Sequence, residues 1–161
     1  MGLREELGFP RPVETASHEA ALNIMVTASL LIKAGERLLA PYGVTEAQFN
    51  VLMLLRHQSE EGTLDQTALG RMLVVNRSNV TALVDRMERA ALVLRSPDPS
   101  DRRVKRVSLT PRGMEVAEAS EGTYFRRVEE VFGALGAGER KNLVRALERV
   151  RTALAETSAS V

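Results

Sequence analysis

Apolar residues in this chain keep the three-to-four spacing of helices almost throughout, and change to alternation at one place only. Val80, Leu83, Val84 and Met87 stand at i, i+3, i+4 and i+7, so a helix gathers all four on one face. Asn76 is placed to cap that helix, and Arg77, Ser78, Asn79 and Thr81 form a polar run at its leading end. Directly afterwards the pattern predicts strand, turn, strand: Leu92 to Leu94, the turn SPDPSD, then Arg103 to Leu109 with Val107 and Leu109 two apart. Pro97 and Pro99 exclude helix there, so the hairpin projects as a loop with Asp101, Arg102 and Arg103 at or near its tip.

The flanking segments predict helices. After an arm with a short helical turn and the stretch GFPRPVET, a long helix runs from His18 to about Ala40, apolar over most of its circumference in its first half. Pro41, Tyr42 and Gly43 stop it, and Thr45 with Gln48 makes a capping box for a second helix carrying Phe49, Leu52, Met53 and Arg56 and ending near Gly62. Thr63 and Leu64 predict a short strand. Asp65 caps a third helix, QTALGRML, with Leu69 and Leu73 toward the core, and a turn at Val74 and Val75 follows. Thr110 and Pro111 start a helix from Arg112 to about Ala134, GALGAG breaks it, and a last helix from Glu139 carries the stripe Leu143, Val144, Leu147, Val150 and Leu154.

With 161 residues, 44% of them apolar, the chain has material for one sizeable core or a core shared with a second copy. It has no cysteine, which excludes disulfides, thiolate catalysis and Cys-ligated zinc. The first residues, MGLREELGFPRP, carry charges and prolines where the apolar part of a signal peptide would lie, and the most apolar stretch, Ala20 to Ile32, is too short to cross a membrane. A Gly-rich phosphate loop, G-x-S-x-G and H-E-x-x-H are all missing from the sequence, which argues against an enzyme, and no cofactor is implied. The net charge of +1 hides an asymmetry: Arg71 to Arg112 hold ten basic and four acidic residues, a local +6 that leaves −5 for the remainder. A cationic patch on an acidic body is the footprint of phosphate contact, although charge runs are also often just solvated surface.

A polar-tipped amphipathic helix followed by a basic hairpin is the architecture of a winged helix-turn-helix, whose helix enters the major groove and whose wing reaches the adjacent minor groove. The run RSNVTALVDRMERAALVLRSPDPSDRRVKRVSLTPRG also resembles the recognition helix, wing and following helix start of the MarR-type (multiple antibiotic resistance regulator) transcription factors. That resemblance implies a mainly α fold with a small β-wing. It implies one MarR-like domain over residues 1–161, with dimerisation helices at 1–42 and 112–161 and the DNA-binding part at 45–110. DNA-contacting candidates on the helix are Asn76, Arg77, Ser78, Asn79, Thr81 and Arg86. The family often has Arg where this chain has Ala82, which shifts base reading toward Arg77, Ser78 and Asn79. On the wing the family's D-x-R signature stands as Asp101 and Arg103, implying that Arg103 enters the minor groove while Asp101 orients it through a charge-assisted pair. Arg102, Lys105 and Arg106 are expected to hold phosphate; an ordinary exposed turn ion pair is the plainer reading of Asp101 and Arg103.

The apolar terminal helices suggest a homodimer, and a dimer presents its recognition helices about one turn of DNA apart, on a pseudo-palindromic operator. The resemblance further implies repression released by a small aromatic or phenolic ligand, held between the dimerisation helices and the winged part. His18, Asn23, Thr27, Gln48, Arg56 and His57 are the polar residues available for such a pocket, and structural histidines are the plainer reading of His18 and His57. Regulation with no small-molecule effector, or a winged helix used only for protein contacts, remain the alternatives. The expected location is the cytoplasm of a bacterium or archaeon, on the nucleoid when bound.

Overall fold

The computed structural model describes residues 2–59, 62–73, 77–101 and 103–158, with the side chains of Arg77 and Ser158 left aside. Its elements are helices α1 (Leu3–Leu7), α2 (Ala16–Leu39) and α3 (Glu46–His57), strand β1 (Thr63–Asp65), helices α4 (Gln66–Leu73) and α5 (Arg77–Arg89), strands β2 (Val93–Pro97) and β3 (Lys105–Leu109), and helices α6 (Pro111–Phe132) and α7 (Ala137–Ser158). The fold is mainly helical, with one small antiparallel sheet of order β1-β3-β2. Two compact units divide it, Met1–Glu121 and Gly122–Val161, and the boundary falls inside α6.

Local chemistry explains most of the helix starts. Thr45 and Gln48 close the expected capping box on α3, the Gln48 amide donating to the Thr45 hydroxyl at 3.3 Å and the Thr45 amide donating to the Gln48 side chain at 2.9 Å. The Ala68 amide donates to the Asp65 carboxylate at 2.7 Å, which turns the chain from β1 directly into α4. Two helices begin earlier than periodicity indicates, because their caps lie outside the apolar stripe. The Thr15 hydroxyl accepts from the His18 amide, so α2 starts at Ala16; the Glu139 carboxylate reaches back to the Gly136 amide at 2.7 Å, so α7 starts at Ala137. Helix α3 ends at His57, short of Gly62, because Gln58 leaves helical geometry.

The core of the first unit is built where α3, α4, α5 and the sheet meet. Phe49, Val51, Leu52 and Leu55 of α3, Leu69 of α4, Val80, Val84 and Met87 of α5 and Val107 of β3 are all buried there. β3 is the central strand, pairing with β1 from Thr63↔Ser108 to Asp65↔Arg106 and with β2 from Val93↔Leu109 to Pro97↔Lys105. β2 runs three residues further than its apolar pattern, through Arg95, Ser96 and Pro97, which an edge strand permits because its outer N–H positions need no partner.

The junction between the sheet and α6 is unusually close. Thr110 donates its hydroxyl to the Ala91 carbonyl at 2.6 Å and accepts from the Gly113 amide at 3.0 Å, while its own amide donates to the Leu92 carbonyl at 3.1 Å. A Cβ at Gly113 would lie 1.9 Å from the Leu92 carbonyl oxygen, so only glycine fits. Gly113→Ala is therefore expected to destabilise the fold by about 3 kcal/mol, the upper range for overpacking, since backbone rather than a flexible side chain must move. Urea denaturation measures this; a change within about 0.5 kcal/mol would rule out the close approach.

Each unit leaves apolar side chains exposed. On α2 these are Ile24, Met25, Leu30 and Ile32, with Met25 67% exposed. In the second unit they are Phe125 and Val131 of α6 and Leu143, Val144, Val150 and Leu154 of α7. No helix among the described residues is long and apolar enough to cross a membrane.

Candidate nucleic-acid interface

Helix α5 has two opposed faces. Val80, Leu83, Val84 and Met87 turn inward as the spacing predicts, and Ser78, Asn79, Thr81, Ala82, Arg86 and Arg89 stand exposed on the other side. The Arg86 guanidinium has no partner among the described residues, whereas Arg89 Nε donates back to the Asp85 carbonyl at 3.2 Å. Asn76, Arg102, the side chain of Arg77 and the turn residues Val74 and Val75 lie outside the described residues, so the expected cap and those two arginine contacts are not located.

The wing is organised by Asp98 at its base, a residue that reads in sequence as an ordinary turn residue. One carboxylate oxygen accepts from the Ser100 amide at 2.7 Å, the Ser100 hydroxyl at 2.5 Å and the Asp101 amide at 3.1 Å; the other accepts from Arg106 Nε at 2.5 Å. Asp98 is buried in doing so. The Ser100 hydroxyl, the Arg106 guanidinium and the two amides hold its carboxyl well below the usual carboxylate range. A depressed folded-state value means that this contribution is complete above the ordinary carboxylate range and is lost only as pH falls through the lowered value. The wing base is thus charged and closed across the neutral range.

Two wing side chains are engaged differently from the expectation. Arg106 does not stand extended: its Nε pairs with Asp98 and its NH1 donates to the Thr63 hydroxyl at 3.1 Å, tying the hairpin to β1. Nor does Asp101 pair with the Arg103 guanidinium. Its carboxylate accepts the Arg103 backbone amide at 2.9 Å, an Asx-turn that fixes where residue 103 leaves the loop and keeps its side chain outside the bond. Arg103 and Lys105 are exposed, with no side-chain partner among the described residues.

The structure also shows a contact between the hairpin and α5 that sequence reading missed. Arg95 of β2 reaches across to α5, its NH1 lying 2.6 Å from Asp85 and 2.9 Å from Glu88, and its NH2 donating to the Thr81 carbonyl at 3.2 Å. Arg95 and Arg106 were both counted in the cationic patch, and both are held by carboxylates of their own unit.

The six residues considered for an effector do not share one lining. Arg56 pairs with Glu118 at 2.9 Å and Glu121 at 3.1 Å, and His57 Nε2 lies 2.6 Å from Glu121, so these two tie α3 to α6. Asn23 donates to the Glu19 carbonyl of its own helix, Gln48 is used in the α3 cap, and His18 and Thr27 are exposed on α2. A cleft of about 420 Å³ lies elsewhere, lined by Gln58, Leu64, Arg71, Met72 and the Asp98–Arg106 pair among others, and by none of the six.

Comparison with known proteins bears on this arrangement. The MarR family model matches residues 44–105, from the start of α3 to the far side of the wing. The transcriptional regulator FarR of Neisseria gonorrhoeae is 30% identical over 151 residues, covering 87% of this chain and 97% of FarR. The chain belongs to the MarR family. Two solved MarR-family regulators of Streptomyces coelicolor match it in fold: AbsC, with a TM-score of 0.81, 25% identity and coverage of 91% of this chain and 99% of AbsC, and Sco3205 in complex with DNA, with a TM-score of 0.79, 26% identity and coverage of 90% and 92%. As a MarR-family transcriptional regulator the chain carries a DNA-binding winged helix.

Proposed function

We propose that this MarR-family chain acts as a cytoplasmic homodimer that places two α5 helices in successive major grooves of a pseudo-palindromic operator, with the two wings in the flanking minor grooves. The observation that carries this reading is that α5 exposes Ser78, Asn79, Thr81, Ala82 and Arg86 over a buried apolar stripe, while the wing exposes Arg103 and Lys105 beyond a closed base. Ser78, Asn79 and Thr81 supply short hydrogen-bonding groups for base edges, and the Ala82 methyl suits a thymine methyl. Arg86 and Lys105 supply charge for phosphate, with Arg77 and Arg102 assigned beside them on sequence position alone. The exposed apolar residues of α2 and α7 are those that a second copy would cover.

Occupying an operator in this way excludes other proteins from it, so the reading is repression, released by a small aromatic or phenolic anion. Such an anion would draw on Arg56 and His57 in exchange for Glu118 and Glu121, loosening α3 from α6. Selection of bound sequences from random duplex DNA tests the main proposal: an inverted repeat is expected, bound with an affinity that falls steeply as salt rises. A shallow salt dependence with no enriched sequence would favour a winged helix used for protein contacts. A panel of aromatic acids in a thermal-shift assay tests the effector, a ligand of the folded dimer raising Tm; no shift across the panel would remove that part.

A further inference from the structure

Arg95 occupies an unusual place for a basic residue in a DNA-binding domain, because its guanidinium faces the protein. It shares a strand face with Val93, which is buried, and Arg95 itself is only 18% exposed. The groups it meets on α5 are the Thr81 carbonyl, the Asp85 carboxylate and the Glu88 carboxylate. Those positions are i, i+4 and i+7, one stripe along roughly 10 Å of helix. Glu88 also accepts the Arg95 backbone amide at 3.1 Å, so the strand is held through its main chain as well as its side chain. Two residues further on lies Pro97, paired with Lys105, and then Asp98, which closes the wing.

We propose that Arg95 is a positioning residue for DNA recognition: it locks the angle between the recognition helix and the wing and covers two carboxylates that would otherwise face the phosphates. The bonds fix the helix stripe and the hairpin as one rigid body, since a planar fork held at three points has little freedom to rotate. Screening adds to this. Asp85 and Glu88 lie on the helix that enters the groove, and a cation between them halves their combined charge without itself touching DNA. Because its donors are used by α5, Arg95 releases no DNA counterions, in contrast to Arg103 and Lys105.

This assignment rests on the DNA-binding reading, and the experiment keeps the two apart. Wild type, Arg95→Ala, Arg95→Lys and the double variant Arg95→Ala with Glu88→Gln are titrated against the selected duplex and a scrambled duplex of equal length over a salt series, with Tm recorded for each. For Arg95→Ala the specific affinity is expected to fall about thirtyfold, the scale of one weakened base contact in each half-site, while non-specific affinity falls by only about threefold, the share due to the uncovered carboxylates. The salt slope is expected to stay within about half a unit of wild type, since no phosphate contact is lost. Arg95→Lys, which keeps the charge but loses the fork, should regain about a third of the lost discrimination on a logarithmic scale. The double variant should discriminate no worse than Arg95→Ala, because both changes break the same contact.

A salt slope reduced by about 0.9 per protomer with the ratio of specific to non-specific affinity unchanged would make Arg95 a phosphate contact and overturn the proposal. Should Arg95→Ala fail to fold, Arg95→Lys decides alone: discrimination equal to wild type overturns the proposal and reduced discrimination at unchanged slope supports it. A wild-type chain that prefers no duplex overturns the DNA-binding reading and this assignment with it. Discrimination in wild type matched by every variant overturns this assignment only.

Discussion

Arg103→Ala is expected to weaken operator binding by about 4 kcal/mol, on the order of a thousandfold, at about 2 kcal/mol for each of two wings. The expectation follows from how the loop is built. Asp98 gathers the Ser100 and Asp101 amides and the Arg106 guanidinium, and Asp101 then fixes the Arg103 amide, so the backbone around residue 103 is set before DNA arrives. The guanidinium itself takes no part in this network and is available for the minor groove, where a narrow, electronegative stretch attracts it. Removing the side chain leaves the scaffold untouched, so Tm should stay within about 2 °C of wild type while the dissociation constant changes. Titration of a labelled operator at fixed salt measures it. A loss of less than about threefold would show that the wing does not read DNA.

A second large effect is expected at the apolar face of the last helix. Val144 and Val150 are 54% and 45% exposed on α7, within the apolar stripe that also holds Leu143, Leu147 and Leu154. Placing aspartate at both positions sets unpaired carboxylates in any interface that covers them, in two copies across a twofold axis. The dimer is expected to lose at least about 4 kcal/mol, on the order of a thousandfold in its dissociation constant. Helicity should persist, because neither position is buried within the chain. Sedimentation velocity reads the association state, and operator affinity should fall with it, since each half-site then binds without help from the other. An intact dimer in the double variant would move the interface elsewhere.

How far these features could be read from sequence depends on their range along the chain. The α5 face was legible because Val80, Leu83, Val84 and Met87 repeat within two turns, and the Thr45–Gln48 and Thr110–Pro111 starts were legible because a cap acts within three residues. Caps from Thr15 and Glu139 were missed for the opposite reason: each lies outside the apolar run that marked its helix. Arg106 was assigned to phosphate because charge alone cannot reveal that Thr63, 43 residues away, and Asp98 would hold it. Arg95 was hidden in the same way, since its ion pairs with α5 exist only after β2 folds back along the helix. The close approach at Gly113 carries no local signal either, because its cause is the Leu92 carbonyl on another element.

Hydroxyl-radical footprinting of the wild-type protein on its selected duplex tests the central claim most directly, because the reagent reports the minor groove strand by strand. The account predicts two symmetric patches of wing protection outside two half-sites whose centres lie about 10 base pairs apart, both disappearing in Arg103→Ala. One protected half-site, or protection confined to the major-groove side with the flanking minor grooves fully cleaved, would contradict it.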